Sequence, residues 1–125
     1  MTPEDVVVQG LHAMQAGVSA KDTDALLAVF APDAILIGSG VGETAFGTEQ
    51  LRDFFDRVFA TGHDIVWTWS APVARREGHL VWFFVDGEVQ YGEQRLPYRA
   101  SGVLREVEPG AWCWQLFNGS EPSTA

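Results

Sequence analysis

The last segment of the chain combines aromatic residues with an amide that could contact a ligand. Residues 112–122 read WCWQLFNGSEP, and alternate positions carry Trp112, Trp114, Leu116 and Asn118. Because alternate side chains of a strand share one face, this spacing predicts an apolar face that ends in an amide. Asn118 could hydrogen-bond a ligand carbonyl, or backbone groups at the strand end could satisfy its amide.

The preceding segment could add a charged group to the same face. Arg99 and Ser101 point inward in one register of the hairpin that turns at residues 108–111. A tighter turn shifts the register by one residue and turns Tyr98 inward instead. An inward Arg99 could bind a carboxylate or phosphate group of a ligand, whereas an outward one would be a surface or interface arginine.

Two titratable residues are candidate bases. If the strand through Asp86 is unbroken, this carboxyl shares a face with Trp82 and Phe84 and could be an inward acid with a raised pKa. The alternative is an aspartate in a turn or bulge before Gly87. His12 lies beside the apolar stripe of the first expected helix, where a lone histidine is commonly a helix-flank residue.

Composition limits the classes of partner. The chain has 125 residues and a formal net charge of -9, which disfavours nucleic acid and anionic membranes. Its single cysteine and the absence of a Cys/His cluster predict no disulfide, metal site or cofactor. The start of the chain is acidic where a signal peptide is basic, and the apolar run at residues 80–85 is too short to span a membrane. We therefore expect a cytoplasmic protein.

The first half of the chain predicts three helices. The first begins at Thr2, and one face carries Val7, Leu11, Met14 and Val18. A second, short helix is expected near residues 22–30, where Pro32 ends it. Thr48 is expected to cap a third helix that ends at Gly62.

The second half predicts strands joined by short turns. Four long strands are expected at residues 64–75, 80–91, 94–107 and 111–119, after short strands at residues 34–37 and 44–46. The short links between the long strands favour an antiparallel meander.

The second long strand is apolar on both faces. Leu80, Trp82 and Phe84 form one face, and the intervening residues are also apolar. A sheet that is apolar on both faces must be covered on both, and three helices can cover only one. We therefore expect a homodimer through the sheet; the alternative is a monomer with scattered exposed aromatic residues.

Four segments carry a family resemblance: KDTDALLAVFAPDAILIG, FGTEQLRDFF, YRASGVLRE and GAWCWQLFNGSEP. Their order and spacing resemble the nuclear transport factor 2-like superfamily, chiefly its SnoaL-like branch. The resemblance implies a cone-shaped α+β fold with three N-terminal helices packed on a curved, mostly antiparallel sheet. The length of the chain predicts a single domain, at residues 1–122, and a frayed tail at residues 123–125.

The positions that match catalytic residues of the superfamily lack ionisable groups in this chain. Steroid isomerases of the superfamily have a base aspartate where this chain has Gly38, and its epoxide hydrolases have carboxylates where this chain has Ser101 and Asn118. Many SnoaL-like members carry histidines at the positions of Leu116 and Asn118. The resemblance thus favours an inward Arg99 and recognition over proton transfer.

These observations predict a protein that binds a small apolar or weakly acidic molecule in an aromatic-lined pocket of the cone. The expected ligand-binding residues are Arg99, Ser101, Asn118, Trp114, Leu116, Trp82, Met14 and Phe30. One alternative is an isomerase, dehydratase or cyclase that uses Asp86 or His12 as a base. Another is a non-catalytic dimerisation module whose cone is filled by its own side chains.

Overall fold

A computed structural model describes residues 1–123, which form three helices and seven strands. The helices are α1 (Pro3–Ser19), α2 (Thr23–Ala28) and α3 (Gly47–Ala60). The strands are β1 (Phe30–Ile37), β2 (Thr44–Phe46), β3 (Ile65–Trp69), β4 (Val73–Glu77), β5 (Leu80–Tyr91), β6 (Gln94–Glu108) and β7 (Ala111–Ser120). Residues 124–125 of the expected frayed tail lie outside the described residues.

All seven strands of the described chain belong to one curved sheet. Its order is β2-β1-β7-β6-β5-β3, with β4 also paired to β5. The β1–β7 pair is parallel and every other pair is antiparallel. The three helices pack on one side of the sheet, here called the inner face, and the other side is the outer face. The expected α+β architecture is confirmed.

Local signals placed the first two helix starts correctly. The Thr2 hydroxyl accepts a hydrogen bond from the Asp5 backbone N–H (3.1 Å), and the Thr2 N–H donates to the Asp5 carboxylate (3.0 Å). This reciprocal capping box satisfies N–H groups that have no partner inside the helix. Asp22 caps α2 by accepting from the Ala25 N–H at 3.0 Å. Thr48, in contrast, does not cap α3: β2 runs directly into that helix at Gly47.

Two prolines changed the expected strand bounds. Pro32 lies inside β1, which begins at Phe30 rather than after the proline, and the β1–β7 register shifts between Phe30 and Ile35. A proline lacks the N–H that a regular ladder requires, so this irregular stretch accommodates it. The expected strand at residues 64–75 is two strands, β3 and β4, separated by residues 70–72, which include Pro72. Both strands pair with β5.

The alternation of β7 is broken by one extra residue. Leu104 pairs with Trp114, whereas the next residue inward along β6, Val103, pairs with Leu116. Gln115 therefore forms a β-bulge, which reverses the faces of the residues that follow it. Trp114 and Phe117 are buried on the inner face. The expectation that Leu116 and Asn118 share the face of Trp114 is wrong.

The register of β6 is the second of the two that the hairpin allowed. Tyr98, Ala100 and Leu104 are buried on the inner face, so Arg99 and Ser101 lie on the outer face. The register also shifts between Glu106 and Glu108, near the turn. The inward Arg99 expected from the resemblance is therefore wrong.

The core lies between the inner face and the helices. Trp114 is fully buried, and its ring lies 5.2 Å from Phe117 and 5.6 Å from Phe83, between centroids. Helix α1 crosses Trp114 at Gly10, where an added Cβ would lie 3.0 Å from the indole.

None of the helices within residues 1–123 has both the length and the apolar character that a membrane span requires.

Candidate functional site

The inner side of the cone contains an open cavity of about 640 Å³. It lies between α3, the C-terminal half of α1, the β1–β2 loop and the inner face of the sheet. Pockets that hold small ligands have volumes of roughly 300–1,000 Å³, so this cavity is large enough for one small organic molecule.

Seven aromatic residues line the cavity. They are Phe54, Phe55, Phe59, Trp67, Tyr91, Tyr98 and Phe117. Phe55 and Phe59 are four residues apart and therefore share one face of α3, and the ring of Phe54 lies beside that of Phe55, with centroids 5.6 Å apart. Trp67 is held on β3 by Gln15 of α1, whose side chain accepts from the Trp67 backbone N–H at 2.9 Å and donates to the Ile65 carbonyl at 3.0 Å.

Tyr98 is a buried residue that supplies a polar group to the cavity wall. The side chain is 7% exposed and packs between Trp67 and Trp69, with ring centroids 6.1 and 6.0 Å away. Its hydroxyl lies against the backbone of Gly119, where any Cβ would overlap it. Gly119 is thus required for the position of the hydroxyl.

The Tyr98 hydroxyl is neutral over the physiological range. Burial, followed by the negative charges of Glu43 and Glu121, raises the pKa of Tyr98 to about 12, and Ser39 and Trp67 beside the oxygen partly offset the rise. A neutral phenol can both donate and accept a hydrogen bond.

Two carboxylates border the mouth of the cavity. Glu43, in the β1–β2 loop, is half-buried, and its side chain fills the space that the missing side chains of Gly38 and Gly40 leave open. Within residues 1–123 its carboxylate makes no hydrogen bond or ion pair. Glu121 is exposed and accepts a 3.4 Å hydrogen bond from the Ser39 hydroxyl.

Three of the expected ligand-binding residues lie on the inner side. Met14 lines the cavity. Phe30 and Trp114 pack in the core beside it, with ring centroids 6.5 Å apart, and do not line it. The mixed outcome has a simple cause: the core and the cavity wall are continuous, and composition does not distinguish them.

The other five expected ligand-binding residues lie on the outer face: Arg99, Ser101, Asn118, Leu116 and Trp82. Arg99 is exposed and donates to the Ser120 hydroxyl at 3.3 Å. Asp86 pairs with Arg99 in the β5–β6 ladder and is also exposed. His12 is exposed on α1. None of these side chains lines the cavity, which corrects their expected location.

Sequence patterns did not single out Glu43 as a cavity residue. It follows a glycine-dense stretch that predicted only a turn, and the role of Gly38 and Gly40 depends on how the loop folds back. The loop closes through a 2.6 Å hydrogen bond from the Gly38 N–H to the Glu43 carbonyl. Tyr98 was the alternative to Arg99 in the hairpin register.

Metal ligands are not clustered in the described part of the chain. Within residues 1–123, no group of three or more His, Cys, Asp or Glu side chains could hold a metal ion.

The outer face carries a row of exposed and half-buried apolar residues that crosses five strands. In register order its residues are Trp82, Val103, Leu116, Ile35 and Phe46. Leu80, Val73 and Phe84 extend the patch. Trp82 is 43% exposed and Phe46 is 56% exposed. Such contiguous apolar surface is typical of interaction sites.

One family model matches most of the chain: that of the SnoaL-like domain, over residues 7–116. No curated protein is significantly similar in sequence.

Solved structures share the fold at low sequence identity. A nuclear transport factor 2-like superfamily protein from Salmonella enterica serovar Typhimurium has a TM-score of 0.82 and 14% identity, over 98% of this chain and 93% of that chain. An NTF2-like protein of unknown function from Pseudomonas putida has a TM-score of 0.80 and 16% sequence identity, over 95% of this chain and 86% of that chain. A ketosteroid isomerase-like protein from Erwinia carotovora atroseptica has a TM-score of 0.73 and 21% sequence identity, over 95% of each chain. These similarities establish the NTF2-like fold and no activity.

Proposed function

The chain belongs to the SnoaL-like domain family, and from this premise we propose that it binds a small, mostly apolar molecule in its central cavity. The observation that carries the proposal is the aromatic-lined volume of about 640 Å³, which an apolar ligand would fill with release of water. A polar group on the ligand would meet the neutral hydroxyl of Tyr98. The open volume also argues against a cone filled by its own side chains.

The residues expected to act as bases do not support the enzymatic alternative. Asp86 and His12 are exposed and lie away from the cavity. A general base must come within hydrogen-bond reach of the proton that it removes, and these groups could not reach a ligand in the cone. Recognition without catalysis by these two residues is therefore the simpler function.

Filling the cavity tests the proposal. Leu96 of β6 lines the cavity, and we expect Leu96→Trp to weaken binding of the neutral dye Nile red about tenfold, because the larger ring occupies ligand volume. The measurement is fluorescence titration. Val107→Trp, at an exposed site on the same strand outside the cavity, is the matched control. Equal dye affinity in both variants would contradict binding in the cone.

We also propose that a second copy of the chain covers the apolar row of the outer face. A sheet exposing several large apolar side chains gains stability when a second apolar surface removes them from water. Asp86 and Arg99 at the border of the patch offer both signs of charge to a self-complementary contact.

The size of the assembly in solution tests the dimer. We expect the wild type to have twice the 13.7 kDa chain mass by light scattering, and Trp82→Glu to be monomeric, because it places a charge within the apolar row. Val8→Glu, on the exposed side of α1, should remain dimeric. A monomeric wild type at micromolar concentration would refute this contact.

A further inference from the structure

Acidic side chains outnumber basic ones around the cavity, and the charged residues differ in how far they are buried. Those that line it are Glu43, Glu121 and Arg57. Glu43 is half-buried, and its carboxylate makes no hydrogen bond or ion pair within residues 1–123. An unpaired carboxylate beside an apolar cavity can form a charge-assisted hydrogen bond with a cationic ligand.

Arg57 does not balance these carboxylates. It is exposed on α3, its Nε donates to the Asp53 carbonyl of its own helix at 3.2 Å, and it also borders an adjacent surface groove with Asp53 and Asp56. Water and neighbouring acids screen such a charge. The negative charges of Glu43 and Glu121 also reach Tyr98 in the cavity wall, where both contribute to raising its pKa.

The cavity wall also suits a cation. The faces of aromatic rings attract ammonium groups, most strongly where water is excluded. Phe54, Phe59, Trp67 and Tyr91 line the cavity, and the Tyr98 oxygen can accept a hydrogen bond. The net charge of -9 further favours the approach of cations and disfavours anions.

We propose that the cavity selects hydrophobic amines in their protonated form, with the ammonium group beside Glu43 at the mouth and the hydrocarbon part among the aromatic rings. This selectivity rests on the proposed binding function and deepens it. It replaces the weakly acidic ligand expected from an inward Arg99, because that arginine lies on the outer face.

Three probes with one ring system and different charges test this selectivity by isothermal titration calorimetry. Tryptamine is a cation at neutral pH, tryptophol is neutral and indoleacetate is an anion. We expect tryptamine to bind about tenfold more tightly than tryptophol and indoleacetate to bind most weakly, consistent with a charge-assisted contact. Glu43→Gln should reduce the tryptamine preference about fivefold and leave tryptophol unchanged.

Glu49→Gln is the matched control, since Glu49 is an exposed α3 carboxylate that does not line the cavity. Unchanged tryptophol binding by Glu43→Gln shows that the cavity has kept its shape. Equal affinity for tryptamine and indoleacetate, or an unaltered tryptamine preference in Glu43→Gln, would overturn the selectivity. If Nile red binds and all three indoles fail, the selectivity is overturned and the binding function stands. If the dye also fails, both proposals are wrong.

Discussion

At the scale of single residues, the cavity depends on glycines that leave room for functional side chains. Gly119 receives the Tyr98 hydroxyl, and Gly38 and Gly40 receive the Glu43 side chain. The sequence showed that this loop is rich in glycine. It did not show that Glu43 occupies the space beside those glycines, because that contact depends on how the loop folds back on itself. The same holds for Tyr98, whose direction depends on irregularities in two strands.

The contact between Gly119 and Tyr98 can be tested by adding one methyl group. We expect Gly119→Ala to lower the free energy of unfolding by about 1–3 kcal/mol, because the new Cβ overlaps the buried hydroxyl and forces Tyr98 against its neighbours. Urea denaturation measures the loss. Ser120→Ala, at the adjacent outward position, should lose much less. Equal stability of the two variants would show that Tyr98 moves without cost.

At the scale of elements, a group of polar contacts around Glu106, here called the clasp, joins two turns of the sheet. Glu106 of β6 accepts from the Gly110 N–H at 3.0 Å, contacts His79 Nδ1 at 3.1 Å and pairs with Arg76 at 3.3 Å. The Gly110 hydrogen bond, then His79, then Arg76 lower the pKa of Glu106 below its ordinary value of 4.5. The β4–β5 and β6–β7 turns are thereby held together.

The clasp predicts how stability changes in acid. Because the Glu106 pKa is lower in the folded state, its contribution is present above the ordinary value of 4.5 and is lost as pH falls through the folded pKa. We therefore expect Glu106→Gln to be less stable than wild type near neutral pH and the difference to shrink in acid. Chemical denaturation across that pH window measures it. A difference independent of pH would exclude the clasp as its cause.

The positions of the helices and strands could largely be predicted from the sequence. The face on which each side chain of β7 lies could not. The bounds of β5 and the start of α1 match the expectation, since alternation and capping residues are local signals. The faces after Gln115 differ, because a bulge of one residue inverts every later side chain and leaves composition unchanged. That inversion moved Leu116 and Asn118 from the expected site to the outer face.

At the scale of the whole molecule, the sheet separates two surfaces with different proposed roles. Its inner face bounds the cavity and its outer face carries the apolar row, and the four strands β1, β5, β6 and β7 contribute residues to both. The sequence of β5, which is apolar on both faces, predicted that both sides of the sheet would be covered. A variant on the outer face, such as Trp82→Glu, should therefore change assembly and leave the cavity wall intact.

The position of β7 has a consequence for how the chain is made. The last strand of the chain lies in the middle of the sheet, between β1 and β6. During synthesis from the N-terminus, β1 and β6 must each keep an edge unpaired until β7 has left the ribosome. The parallel β1–β7 pair also joins segments about 80 residues apart, such as Ile35 and Leu116, so its formation requires a long stretch of chain to be closed into a loop.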